Sequence, residues 1–349
     1  MRHGHVSRRC PRFRAATLML TLAGLVSISG ARLANAAPAP AATRLTAGEA
    51  ASAGTAIVVS RRAEGGGSLI VVTLPAAAPN ASLPAAERSR RSALRVLAVA
   101  EDGSAAIADA VGVPGAGLTI AHPDGSQART GLAGVAGAAF SPDLDWLAAA
   151  DASGRLWRVE IDTGHATQLA DGPYGGSLAF ERDGSLLLVA LSSAGAPYES
   201  RLVRFNPESG RSQPLVSDPG FIFSARQLTD GSVAAVVHPS GGGVRVVRVG
   251  AEGARPLADL GPEAIDATVS ADGRTIAFAI AGDGVYLVDG RSPSGRRLGE
   301  GDLPRIAPDG GSVVMLRDGA SLLVTADGRE RERFSAAVAW ASCGAGCRP

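Results

Sequence analysis

An acidic turn returns about once every forty residues. It stands at Asp102-Gly103, Asp143, Asp183-Gly184, Asp230-Gly231, Asp272-Gly273 and Asp309-Gly310, with gaps of 41, 40, 47, 42 and 37 residues. A period of this size marks a supersecondary unit that is repeated and stacked. Each turn follows a short strand and precedes an apolar one. Asp-Gly suits that place because tight hairpins need a positive φ. A third strand then runs into a second turn, as in Arg155-Leu156-Trp157-Arg158-Val159-Glu160-Ile161 before Asp162-Thr163-Gly164, or Gly284-Val285-Tyr286-Leu287-Val288. A short edge strand such as Thr167-Gln168-Leu169 closes the unit. Four antiparallel strands per forty residues, repeated, describe the blades of a β-propeller. A blade cannot bury both faces alone, which explains why the inner strands are apolar on both sides.

Six units are visible between residues 93 and 333. Two fragments remain. Ser335 to Ser342, with Val338 and Trp340, reads as one inner strand; Thr55 to Leu74 reads as a hairpin through Ile57-Val58-Val59 and Leu69-Ile70-Val71-Val72. The fold expected is all-β, a propeller of seven four-stranded blades closed by joining the N- and C-terminal strands. Closure of this kind removes an open sheet edge. Six blades plus a hairpin is the alternative.

Residues 1–36 read as a signal peptide. Arg2, Arg8, Arg9, Arg12 and Arg14 precede an apolar run from Ala15 to Ile28, and Ala34-Asn35-Ala36 offers small residues for cleavage before Ala37. The run is shorter than the roughly 20 residues of a membrane span. Arg8-Arg9 leaves the twin-arginine route open beside the general one. Residues 37–53 read as a flexible leader, and 54–349 as the propeller with a short cysteine-containing tail. An exported protein, periplasmic or extracellular, is expected. Six of the 34 basic residues lie in 1–36, leaving 28 against 33 acids, so the mature chain is mildly acidic. That balance gives no footprint for nucleic acid or for anionic lipid. The chain contains no lysine, which excludes Schiff-base catalysis and a phosphate-loop lysine. After cleavage only Cys343 and Cys347 remain, and in an exported protein a disulfide is the pairing expected of them.

Ser141-Pro142-Asp143 through Gly172, and Ser270-Ala271-Asp272-Gly273-Arg274 through Gly301, resemble the propeller repeat of TolB-like and WD-repeat-like bacterial proteins. The resemblance runs over nearly all of the mature chain, and it implies a fold rather than a function. TolB carries a separate α/β domain before its propeller, and none is expected here. Prolyl-oligopeptidase-type peptidases pair a similar propeller with a hydrolase domain, and none is expected here either.

Propellers work at the central channel and its mouth. No G-x-S-x-G elbow occurs. His122, His165 and His238 each stand beside a turn in a different unit, the usual place of a solvated histidine. The asparagines Asn80 and Asn206 sit by peripheral turns, unlike the channel ligands of metal-dependent propeller lactonases, and Trp146, Trp157 and Trp340 are too few for the signature of quinone-dependent propellers. The Asp-Gly turns supply one acid each, short of a calcium loop. No cofactor and no metal are therefore expected. The inner strands place polar residues Arg95, Arg226, Asp266 and Arg305 where Ala and Val are the rule, with Tyr174 and Glu263 in the loops leading in. At the channel they would grip a carboxylate or peptide terminus, or pair with one another. Phe221 and Phe223 read as core, or as an exposed partner patch. The function expected is a monomeric, non-enzymatic binding or scaffolding propeller that recognises a protein or peptide on a ring face. A lactonase- or lyase-like enzyme working in the channel is the alternative.

Overall fold

The computed structural model describes residues 93–108, 117–122, 124, 126–191, 200–218, 220–289, 292–318 and 320–334, with backbone alone for 93–95, 217–218 and 292–294. It also describes the strand backbones Ile28–Ser29, Ile57–Arg62, Ser68–Thr73 and Ala337–Trp340. The expected signal, leader and disulfide otherwise lie outside these residues. Ile28–Ser29 pairs with Ala93 and Leu94 at the start of the first blade.

Six sheets follow one another, each with four antiparallel strands in chain order. Their inner strands are Ala93–Val99, Val135–Phe140, Tyr174–Phe180, Phe221–Gln227, Ala264–Val269 and Asp302–Ile306, opening blades 1 to 6. The acidic turns join each inner strand to the second. The turn aspartate accepts the N–H two residues on, from Ser104, Ser185, Ser232, Arg274 and Gly311 at 2.8 to 3.0 Å. The glycine after it has a positive φ, from 73° at Gly273 to 95° at Gly103. Blade 2 has Leu144 in this place, at φ 62°, a conformation costing a leucine about 1 kcal/mol.

The strand period of two explains the core. In blade 3, Leu186 and Leu188 face blade 2, while Leu187 and Val189 face blade 4. In blade 5, Ile276 and Phe278 face blade 4, and Ala277 and Ala279 face blade 6. Successive side chains point to opposite faces, and both faces are covered by a neighbouring blade. Consecutive blades approach most closely at the inner strands. A Cβ on Gly137 of blade 2 would lie 1.7 Å from the Gly176 carbonyl oxygen of blade 3, so only glycine fits there.

The blade count corrects the sequence reading. There are six four-stranded blades, not seven. The chain ends pair into a three-stranded sheet, Ile57–Arg62 with Ser68–Thr73 with Ala337–Trp340. Its inner strand touches the inner strands of blades 1 and 6. The end segments carry no Asp-Gly turn, and they supply three strands where each repeat supplies four.

One irregularity recurs. Every inner strand slips register against its neighbour, between Val96/Ala98, Val135/Gly137, Tyr174/Leu178, Ile222/Ser224, Ala264/Asp266 and Asp302/Arg305. A bulge bends a strand and re-aims the side chain it skips. Phe223, Ile265, Leu303 and Pro304 are the residues skipped in blades 4 to 6.

Candidate functional site at the mouth of blades 4 to 6

The inner strands start at one rim of the ring, and the second strands end there. Phe221, the first residue of blade 4, pairs with His238, the last residue of its second strand. The backbones crowd at this corner: a Cβ on Gly220 would lie 2.1 Å from the His238 carbonyl oxygen. The bulge turns Phe223 onto the same side as His238. Their rings lie 4.1 Å apart at 34°, and Phe221 meets Phe223 edge-on at 5.2 Å. All three residues are half-buried. His238 Nε2 is buried without a hydrogen-bond partner. Burial holds this imidazole below the usual histidine range, and the nearby Asp266 charge opposes that only in part. It is neutral near pH 7.

Asp266 stands on the next inner strand, beyond the bulge at Ile265. One of its oxygens accepts the Ala267 N–H at 2.8 Å, and the other accepts Arg305 Nη1 from blade 6 at 3.0 Å. Arg305 also donates to the Pro304 carbonyl at 2.7 Å. Asp302 opens the blade 6 strand. Burial raises its carboxyl above the usual carboxylate range, and the charge of Asp266 adds to that. Asp302 is nevertheless exposed to solvent. No hydrogen bond or ion pair holds it among the described residues. Leu303 beside it has φ 48°. Ile265 is the exposed large hydrophobic side chain among the described residues, at 37%.

Three of the residues expected at the channel gather here: Asp266 and Arg305 directly, and Glu263 as the exposed residue before the blade 5 strand. Two others do not. Arg226 lies toward the opposite rim, with Nη1 on the Val269 carbonyl at 2.9 Å. Tyr174 packs with Trp146, Leu178 and Phe180 between blades 2 and 3, where burial raises its hydroxyl. Arg95 lies on the blade 1 inner strand opposite Ala108, and its side chain is outside the described residues. Asp302 and His238 went unselected. Asp302 carries the sequence signal of an acid opening an inner strand; His238 carries none, since only the bulge at Phe223 makes its surroundings apolar.

A second cavity, about 510 Å³, opens at the opposite rim between blades 1 and 2, lined by His122, Asp124, Ser126, Gln127 and Asp162. Its polar groups are engaged locally. Ser126 N–H donates to Asp124 at 2.8 Å, and the Ser104 hydroxyl donates to Asp102 at 2.9 Å while lying 3.4 Å from His122 Nδ1. Among the described residues, no three His, Cys, Asp or Glu side chains are grouped to hold a metal ion. No described helix is long and apolar enough to cross a membrane.

No family model matches the sequence, and no curated protein matches it. Solved structures do. TolB from Acinetobacter baumannii is 19% identical over 88% of each chain, with a TM-score of 0.51. An oligogalacturonate lyase in complex with manganese is 13% identical over 79% of this chain and 83% of its own, with a TM-score of 0.55. The tricorn protease is 9% identical over 82% of this chain and 34% of its own, at 0.55. Identities this low establish a shared fold, the propeller, and no shared chemistry.

Proposed function

We propose that this protein is an exported propeller that binds its ligand, a segment of a protein or peptide, at the mouth formed by blades 4 to 6. One observation carries the reading: His238 Nε2 is left buried without a partner near the anchored Asp266–Arg305 pair of the next two blades. Buried polar groups are nearly always satisfied, and an orphan calls for a reason. The other orphan, Arg296 Nε, belongs to a guanidinium already held on the Ala326 carbonyl. Export rests on the N-terminal sequence, and a fold shared with TolB is compatible with it. The test is a pull-down from envelope extract with the wild type and with Phe223→Ala. A protein retained by the wild type and lost by the variant supports the reading; equal retention contradicts it.

The same mouth supports a second reading, an enzyme working in the channel. Its motive is the neutral His238 imidazole, a base with an uncommitted nitrogen near the Asp266 carboxylate, on a fold that also serves a lyase. Oligogalacturonate incubated with the protein, with and without manganese, tests it. Turnover abolished in His238→Gln supports catalysis; no turnover under either condition contradicts it.

A further inference from the structure

We infer that the aromatic corner of blade 4 is an acid-released latch: with His238 neutral its ring closes on Phe223, and protonation of His238 expels the ring and bares Phe221 and Phe223 at the rim. The release is a property of the corner and does not depend on what the mouth binds.

The corner is one contiguous group. Phe221 pairs with His238 across the first two strands. Phe221 meets Phe223 at 5.2 Å, and Phe223 meets the imidazole at 4.1 Å. Phe223 also packs into the core shared by blades 4 and 5. Blade 3 closes the other side through buried Ser200, whose hydroxyl donates to the Gly220 carbonyl at 3.3 Å and accepts the Ile222 N–H at 2.7 Å. A neutral imidazole carries one N–H and an imidazolium two, and each needs an acceptor or water. His238 Nε2 is buried and has no partner. Protonation in place would seal a charged donor there unpaired, among the costliest groups to bury. Attraction of the cation to the Phe223 face recovers only part of that cost, since the Nε2 N–H still meets no acceptor. The backbone is pinned, because a Cβ on Gly220 would already lie 2.1 Å from the His238 carbonyl oxygen. The side chain is therefore what moves.

The surrounding charges leave the direction unchanged. Asp266 of blade 5 favours the imidazolium, but burial outweighs it, and Arg305 of blade 6 already holds that carboxylate at 3.0 Å. On blade 4, Arg245 stands opposite Val237 and pairs with Asp259 at 3.7 Å, while Arg226 is engaged with the Val269 carbonyl toward the opposite rim. Glu263 and Asp302 are the remaining described acids of the mouth. His238 in the closed corner thus titrates below the ordinary 6.5. The closed corner is fully stable above that value and loses stability as the pH falls through it toward the folded one.

Amide hydrogen exchange of the full chain at about pH 7.5 and about pH 5.5, corrected for the intrinsic rate at each pH, tests this. Segments holding Phe221–Phe223 and Val237–His238 are expected to lose protection at least tenfold at the lower pH. The matching corner of blade 2, Val135 with Asp151, should keep its protection, because Asp151, held at about 2, is ionised under both conditions. His238→Phe, which cannot take the proton, should keep the blade 4 corner closed throughout. NMR titration of the wild-type imidazole, identified by its loss in that variant, should give a midpoint below 6.5 that coincides with the loss of protection. Unchanged protection in the wild type would overturn the latch, whether or not the imidazole titrates. So would a loss that persists in His238→Phe or spreads equally to the corner of blade 2.

Discussion

Blades 2 and 4 place different residues at the same corner. Asp151 ends the second strand of blade 2 opposite Val135, as His238 ends that of blade 4 opposite Phe221. Around Asp151 everything is used. Ser153 donates its N–H and hydroxyl at 2.9 and 2.6 Å, Arg155 its N–H and Nε at 3.1 and 2.9 Å, and Trp157 its Nε1 at 3.0 Å. Burial pushes the Asp151 carboxyl up, but these donors outweigh it and hold it at about 2. His238 is half-buried, and among the described residues its Nε2 finds no partner. In the turn of blade 3 at the opposite rim, Glu181, 1% exposed, takes two nitrogens of Arg204. The satisfied corners are structure. The unsatisfied mouth costs stability and, under the proposed function, offers binding in return.

Substitutions can break this contrast or sharpen it. The largest effect is expected from Arg204→Ala, which strands the buried Glu181 carboxylate; about 3 kcal/mol should be lost in urea denaturation, the low end for a buried pair because Arg204 is a third exposed. Next comes Asp151→Asn, at about 2 kcal/mol near neutral pH. The sign is fixed by the depressed carboxyl. Its stabilisation is fully present above the unfolded value of 3.8 and disappears as the pH falls through about 2. Wild-type and Asp151→Asn denaturation midpoints should therefore converge in strong acid.

The mouth should answer in the opposite direction. His238→Phe replaces an orphaned nitrogen with apolar ring edge against Phe223, and a gain of about 1 kcal/mol is expected from the same denaturation curves. Asp302→Asn should change stability by less than about 0.5 kcal/mol, and upward near neutral pH. Its folded carboxyl is raised, so the ionised wild type loses stability as the pH climbs from the unfolded value of 3.8 through the raised one. A loss of 2 kcal/mol in either variant would erase the distinction between the two regions.

What could be read from the chain follows the same division. The turns were legible because Asp-Gly is local chemistry: the aspartate caps the N–H two residues on and the glycine takes the positive φ. Apolar strands on both faces were legible from composition along Leu186–Leu191 and Ile276–Ile280. Asp266 and Arg305 were legible as polar residues in apolar strands, though not that they bond to each other across blades. The number of blades was misread because the end segments look like strands but supply three instead of four. His238 reads as a solvated turn histidine because its apolar surroundings are made by the bulge at Phe223. A bulge is set by the packing of neighbouring inner strands, as Gly137 on Gly176 shows, and leaves no composition mark.

The most direct test of the mouth as a functional surface is one double variant, His238→Phe with Phe223→Ala, measured for both urea stability and retention of a protein from envelope extract. Stability equal to or above that of Phe223→Ala alone, with retention lost, would show a polar group kept for a ligand at a cost to the fold. Stability lowered further by as much as in Asp151→Asn, or retention unchanged, would show that the two regions do not differ in kind.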